Sequence, residues 1–225
     1  MCGRYVLHSS KRIKLPGYRT SELPFEARYN IAPTQDVPAI VDFGNGPEAR
    51  LLKWGLIPSW SNDGKGFINA RAETLEQKPA FSDSFRLRRC LIPADGFFEW
   101  QRSGKQKRPF YFQSRNDSLL MFAGVWDTWR LRGESIISCA IITTSANELV
   151  GELHNRMPAI LPPEVHEAWL NATTNRVELM RMLKPFPAAL MKTYPVSSNV
   201  NSVENDRADL LARVDVEVGQ TPSLF

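Results

Sequence analysis

The sequence predicts an α+β protein, a single domain built on an antiparallel or mixed sheet curved toward a barrel. Three observations carry that reading. Gly and Pro, 13 and 16 in number, are spread along the whole chain, which suits many short strands joined by turns. Apolar and β-branched runs recur between those turn residues. Stretches with helical spacing are few.

The elements follow in order. Ile40–Phe43, then Gly44-Asn45-Gly46, then Ala49–Trp54 reads as a hairpin. Ala72–Lys78 reads as a short helix. Gly96–Gln101, the basic stretch Arg102–Arg108 and Pro109–Gln113 read as a second hairpin, with Leu119–Val125 as a third strand beside it. Ser135–Thr144 is a continuous, β-branched-rich run, the pattern of a strand buried on both faces. Pro162-Pro163 before Glu164–Leu170 puts Pro and an acid in a first helical turn, with His166 on the exposed face. Thr174–Leu183 sets Val177, Met180 and Leu183 at three-residue spacing. No repeat, low-complexity tract or long linker divides the 225 residues. One domain over 1–225 is expected, with a core from about 2 to 211 and a disordered tail from about Asp215.

Composition excludes more than it selects. A hydrophobic fraction of 43% supports a sizeable core. No apolar run approaches the ~20 residues of a membrane helix. The start, Met-Cys-Gly-Arg-Tyr, lacks the apolar stretch of a secretory signal, so a cytoplasmic location is expected. The cysteines Cys2, Cys90 and Cys139 are odd in number and widely spaced, which argues against a disulfide framework and a zinc site. His8, His154 and His166 add no ligand cluster. No metal and no cofactor are expected. A net charge of +4 is compatible with a polyanionic partner and no more.

Cys2 has an unusual address. Removal of Met1 before a small second residue would leave an α-amine and a thiol on adjacent carbons. Their reference pKa values, about 7.7–8.0 and about 8.5, leave both partly deprotonated near neutrality. Such a 1,2-aminothiol adds to an aldehyde through the amine, and the thiol then closes a thiazolidine ring. Set against this, a Cys after the initiator Met also occurs by chance. Cys90 and Cys139 lie in apolar strand-like runs and read as core.

Several polar residues stand in unexpected company. On a strand, Glu99 shares a face with Phe97, while Phe98 and Trp100 take the other. Two readings stay open: a desolvated carboxylate suited to proton transfer, or an edge-strand Glu facing water. His154 precedes Arg156 and Pro158; Pro158 disfavours helix, so His154 falls on a loop or strand end. A lone His is more often structural. Asn69, two residues before Arg71, suits a helix N-cap. Glu73 suits a first-turn acid or a partner for Arg71. Of the two indoles in Trp54-Gly55-Leu56-Ile57-Pro58-Ser59-Trp60, one reads as core and the other as a stacking surface.

Together these segments resemble the SOS-response-associated peptidase (SRAP) family of abasic-site processing proteins. The matching stretches are Cys2-Gly-Arg-Tyr5, Tyr29–Gln35, Trp54–Trp60, Asn69–Thr74, Cys90–Trp100, Ile141–Thr144, His154–Pro158 and Val196-Ser-Ser with Val200–Asp206, in the family's order. Phe98 stands where Tyr is usual. The resemblance implies an α+β fold, a single domain around a distorted, mostly antiparallel β-barrel with flanking short helices and a cleft. It implies a substrate with an abasic site, in single-stranded DNA or at a single-to-double-strand junction, and a thiazolidine DNA–protein crosslink as product. It implies Cys2 as nucleophile, Glu99 and His154 as proton handlers, Asn69 orienting the sugar, Arg4, Arg71 and Arg156 on phosphates, and Trp60 against stacked bases. The chain would be a monomer, nucleoid-associated when on DNA. Two other classes compete: an N-terminal-nucleophile thiol peptidase using the same Cys2, and a non-covalent single-stranded DNA-binding module in which Cys2 is incidental.

Overall fold

Alternation of apolar and polar side chains makes strands of much of this chain, and a computed structural model describes residues 2–9, 26–103 and 106–215. The strands, in chain order, are β1 (Tyr5–Leu7), β2 (Arg28–Ile31), β3 (Asp36–Asp42), β4 (Pro47–Trp54), β5 (Asn69–Arg71), β6 (Arg89–Ala94), β7 (Gly96–Ser103), β8 (Gln106–Ser114), β9 (Leu120–Leu131), β10 (Glu134–Ser145), β11 (Arg156–Pro158) and β12 (Met191–Pro195). The helices are short: α1 (Ser82–Leu87), α2 (Glu148–Gly151), α3 (His166–Leu170) and α4 (Arg176–Met182), with several 3-10 turns.

Five strands close into a barrel. The circuit runs β10-β4-β3-β6-β9 and back to β10, and within it β10–β4 alone is parallel. A second sheet, β12-β8-β7-β1-β2, is antiparallel throughout. The chain passes from one to the other at Asp95. Its N–H donates to the Val6 carbonyl, and its carboxylate accepts from the His8 and Ser9 N–H groups. The β9–β10 hairpin turns on Arg132-Gly133, both at positive φ, as a two-residue turn of matching twist requires.

Two cores follow from the period of two along the barrel strands. Val37, Ala39, Val41, Leu52, Cys90, Ile92 and Cys139 pack with Cys2, Tyr5, Phe97 and Phe112 of the N-terminal segment and second sheet. Edge-to-face aromatic pairs join them, Tyr5–Trp54 at 5.4 Å and Phe97–Phe122 at 6.1 Å between centroids. Ile40, Leu91, Ala123, Val125, Ala140 and Ile142 face the other way, against Phe85 of α1, Trp169 of α3 and Leu179 of α4. Buried Arg89 secures that side. Its guanidinium donates to carbonyls of Phe85, Arg86, Trp169 and Asn171, where helix ends leave acceptors unsatisfied. Burial pushes its pKa down to about 10, so it stays charged at neutral pH.

Both expected hairpins form, as β3–β4 and β7–β8, and β10 covers the β-branched run. Other expectations are corrected. Leu119–Val125 does not lie beside β8; it opens β9, paired with β6 and β10 in the barrel. Ala72–Lys78 yields a single 3-10 turn, Ala72–Thr74. His166 is buried, its Nε2 bonded to the Leu161 carbonyl. On α4 the apolar face is Leu179 and Leu183, and Val177 is 60% exposed. The tail beyond Asp215 lies outside the described residues.

Gly96 allows the close approach of β7 to β8. A Cβ there would meet the Phe112 carbonyl oxygen at 2.3 Å and the Tyr111 ring at 2.6 Å. Gly96→Ala is expected to cost about 1–3 kcal/mol of stability in urea unfolding. Gly151→Ala, with nothing within 4 Å of the new methyl, serves as control. Equal midpoints for the two variants contradict the packing argument.

Candidate active site around Cys2

Backbone pairing brings Cys2 to Glu99. Tyr5 lies opposite Phe97 and Val6 opposite Gly96, and the Phe98 N–H donates to the Arg4 carbonyl at 3.0 Å. Carried two residues back, that register sets Gly3 across from Glu99. Phe97 enters the core that holds Cys2, while Phe98 and Trp100 join a separate cluster on the opposite face. Glu99 is 4% exposed, so the water-facing reading of it fails. Cys2 is fully buried. Burial pushes its thiol pKa well up, and the nearby Glu99 carboxylate pushes it further. The reference-value expectation of a partly ionised thiol is therefore corrected: in this pocket the thiol is protonated. Cys90 and Cys139 are buried core thiols, also raised by burial.

Asn69 is not a helix cap. It opens β5, which pairs parallel with β10 at Ile141, and the 3-10 turn is capped at Arg71 without a side-chain bond. Its amide Nδ2 is free to donate to the Cys2 carbonyl at 2.9 Å. Its Oδ1 is buried with no hydrogen-bond partner among the described residues.

His154 follows α2, whose N-cap Asn147 accepts from the Val150 N–H. The His154 N–H donates to the Val150 carbonyl, which ends the helix. The Arg156 N–H then donates to His154 Nδ1 at 2.9 Å. A ring nitrogen that accepts carries no proton, so the neutral ring bears its hydrogen on Nε2. β10 supports both residues. Asn69 pairs with Ile141 on one edge, and Arg156 pairs with Ser145 on the other.

The cations expected on DNA divide into two groups. Arg4 is half-buried; its Nη1 donates to Asn30 Oδ1 and the Val200 carbonyl, both at 2.8 Å, and it lies over the Trp100 ring at 6.0 Å. Arg156 forms a bidentate pair with Glu73, Nη1 to Oε1 at 2.6 Å and Nη2 to Oε2 at 2.9 Å, and also donates to the Thr143 carbonyl. Its side chain is 14% exposed. Arg71 is exposed at the end of β5. Trp54 is buried, and Trp60 is 61% exposed. The Trp60 loop is pinned by the Ser59 N–H on Asp127 and by the Trp129 indole N–H on the Ser61 carbonyl. Among the described residues, no group of three or more His, Cys, Asp or Glu is placed to hold a metal ion. No helix there is long and apolar enough to cross a membrane.

The family model described as SOS response associated peptidase (SRAP) matches residues 1–203. The chain belongs to the SRAP family. A relative from Bacillus subtilis (strain 168), named abasic site processing protein YoaM, is 39% identical over 94% of this chain and 97% of its own. Another from Escherichia coli (strain K12), abasic site processing protein YedK, is 27% identical over 95% of this chain and all of its own. A crystal structure of a protein from Bacteroides thetaiotaomicron shares the SRAP chain's fold with a TM-score of 0.78 and 30% identity, covering 86% of this chain and 88% of that one.

Two contacts of this candidate site escaped sequence reasoning. Glu73 was expected as a first-turn acid or a partner of Arg71; it is the first-turn acid of the 3-10 turn and the ion-pair partner of Arg156, 83 positions away. Asn30, fully buried, accepts from Arg4 and donates to carbonyls of Val200, Ser202 and Asn205. A strand that alternates apolar and polar offers no local sign of such a clamp.

The Glu73 pair carries a pH signature. Its hydrogen bond from Arg156 holds the carboxyl below its ordinary value of 4.5. A depressed folded pKa adds stability that is present above the unfolded value and lost as pH falls through the folded one. The stability gap between wild type and Glu73→Gln should be widest at pH 7 and close as pH drops below 4.5. Urea midpoints across pH 3–7 check this; a gap independent of pH removes the pair's ionic contribution.

Proposed function

We propose that this chain, once Met1 is removed, captures the ring-opened C1′ aldehyde of an abasic site in single-stranded DNA and joins it covalently as a thiazolidine. The observation that carries the proposal is the setting of Cys2, held through its carbonyl by Asn69 and lying beside the buried Glu99 carboxylate. The names of the relatives, abasic site processing proteins, supply the substrate class.

The order of steps follows from the protonation states. The thiol is neutral in the pocket, so the amine reacts first. Glu99 accepts a proton from the Cys2 ammonium, and the amine lone pair adds to C1′. Two protons pass from the nitrogen to the carbonyl oxygen as the carbinolamine forms and collapses, and the oxygen leaves as water, giving a neutral imine. The thiol sulfur then bonds to the imine carbon and its proton passes to the nitrogen. The net change is aldehyde plus aminothiol to thiazolidine plus one water. His154, protonated on Nε2 when neutral, supplies a donor for sugar-ring opening and the departing hydroxyl. Asn69 Oδ1 accepts from a sugar hydroxyl. Arg71 and Trp60 make the exposed contacts to phosphate and base. Arg4 and Arg156 add positive charge while their guanidiniums hold protein acceptors. Recognition reads no base, because the lesion has none, and single-stranded substrate avoids most of the unpairing cost. The chain acts as a monomer.

The direct test is incubation with single-stranded DNA carrying one abasic site, followed by denaturing electrophoresis. Wild type should give a stable shifted band and an intact mass lacking Met1. Cys2→Ala should give no band. Cys2→Ser should give one only after borohydride trapping, because its hydroxyl does not close the stable ring. No band from wild type sinks the proposal, and a stable band from Cys2→Ala removes the nucleophile. Cleavage of a peptide substrate by a protein that ignores abasic DNA favours the thiol peptidase instead. Separately, Arg71→Ala should weaken non-covalent binding and reduce the slope of log K against log salt by about one. An unchanged slope takes Arg71 off the phosphates.

A further inference from the structure

Glu73 links the two halves of the site without touching Cys2. It stands four residues after Asn69, in the 3-10 turn that follows β5. Its carboxylate grips Arg156 with two parallel bonds, the geometry that fixes a guanidinium plane most firmly. The backbone N–H of that same Arg156 bonds His154 Nδ1. Thr143 lies between them on β10, paired with Arg71 on one edge and Pro158 on the other, and its carbonyl accepts from Arg156 Nη2. A continuous chain of contacts therefore runs from the Asn69 strand through Glu73 and Arg156 to the imidazole.

We infer that Glu73 is a positioning residue: by clamping Arg156 it sets the tautomer and the place of His154 relative to Asn69 and Cys2. The inference rests on the proposed aldehyde capture for its kinetic consequence, but not for its structural one. Glu73 is itself 54% exposed. An exposed carboxylate on a face proposed to meet phosphates works against binding, so its contribution there must lie elsewhere. Its neighbour Arg71 also favours the anion. Arg156 is the first residue of the three-residue β11, so loss of the clamp would leave Met157 and Pro158 paired to β10 while the strand end frays, and the fold survives as the Arg156 N–H that orients the imidazole loses its fixed place.

The test compares wild type, Glu73→Gln and Glu73→Asp in three measurements. The first is the crosslinking rate at saturating abasic DNA. The second is the affinity for DNA carrying a non-reactive tetrahydrofuran abasic analogue. The third is the nitrogen NMR spectrum of the His154 ring in the free protein. Glu73→Gln should slow crosslinking about tenfold or more, the scale of a small misplacement of a reacting group, with affinity unchanged or tighter. Its His154 ring should show mixed tautomers where wild type shows protonated Nε2 alone. Glu73→Asp should restore part of both. An unchanged rate in Glu73→Gln overturns the inference, as does a rate loss matched by an equal affinity loss with the tautomer intact. Tighter binding at an unchanged rate also overturns it and leaves Glu73 as a mere competitor of phosphate. If wild type fails to crosslink, the proposed function falls, and the NMR spectra alone decide the positioning role.

Discussion

The C-terminal end of β10 is hydrogen-bonded on both edges, and the site depends on that. Ile141–Thr143 pair with β5 in parallel, and Thr143–Ser145 pair with β11 antiparallel. A strand with both edges occupied cannot slip by one residue without turning every side chain to the wrong face. Here both faces are also buried, with Ile141 in one core and Ile142 in the other. The two neighbouring strands are only three residues each, too short to hold a position alone. They inherit their rigidity from β10. Asn69 at the start of β5 is thereby fixed by the barrel wall, and His154 just ahead of β11 is tethered to it through the Arg156 N–H.

Cys2 is held by a different device. It precedes β1, another three-residue strand, which lies between β2 and β7 in the second sheet. The Asn69 amide reaches it from the barrel side. Cys2 thus comes from one sheet and its hydrogen-bond donor from the neighbourhood of the other. Tyr5–Trp54 and Phe97–Phe122 contacts keep those two in register. Full burial beside a carboxylate is a poor setting for a thiolate and a good one for a neutral thiol. An amine is different: its protonated form is attracted by Glu99 and its neutral form is the nucleophile. The electrostatics favour an amine-first reaction over direct attack by sulfur.

What the sequence disclosed was local, and what it withheld was long-range. The two-residue alternation at 96–101 is a property of adjacent residues, so the faces of Phe97, Phe98 and Glu99 could be read directly. The division of labour between Trp54 and Trp60 was visible for the same reason, since a loop with two indoles rarely buries both. Asn69 before Ala70-Arg71-Ala72 looked like a cap because capping is a local signal, but pairing with β10 outweighed it. The strand opening at Leu120 was assigned the wrong neighbours because no local feature says which edges it will join. Val177 and His166 were misplaced because very short helices bury whichever side the tertiary packing selects. The Glu73–Arg156 pair spans 83 positions and leaves no mark in either segment.

That pair also bears on how a protein with a modest charge excess would hold the proposed substrate. Arg4 and Arg156 already hold protein acceptors, and a phosphate must share their remaining N–H groups or displace what they grip. Exchange of a buried or bidentate partner for a hydrated phosphate gains little. In the proposed reaction the exposed Arg71 and Trp60 would supply most of the reversible contacts, and two contacts would keep that affinity low. For a non-covalent single-stranded DNA-binding module that is a weakness. For covalent capture it is a useful property. A loosely held strand samples many positions quickly, and only a position with an aldehyde is retained, because bond formation there replaces affinity as the source of residence time. Selectivity would then lie in the proposed chemistry at Cys2 rather than in the grip, consistent with Arg4 and Arg156 serving the fold first.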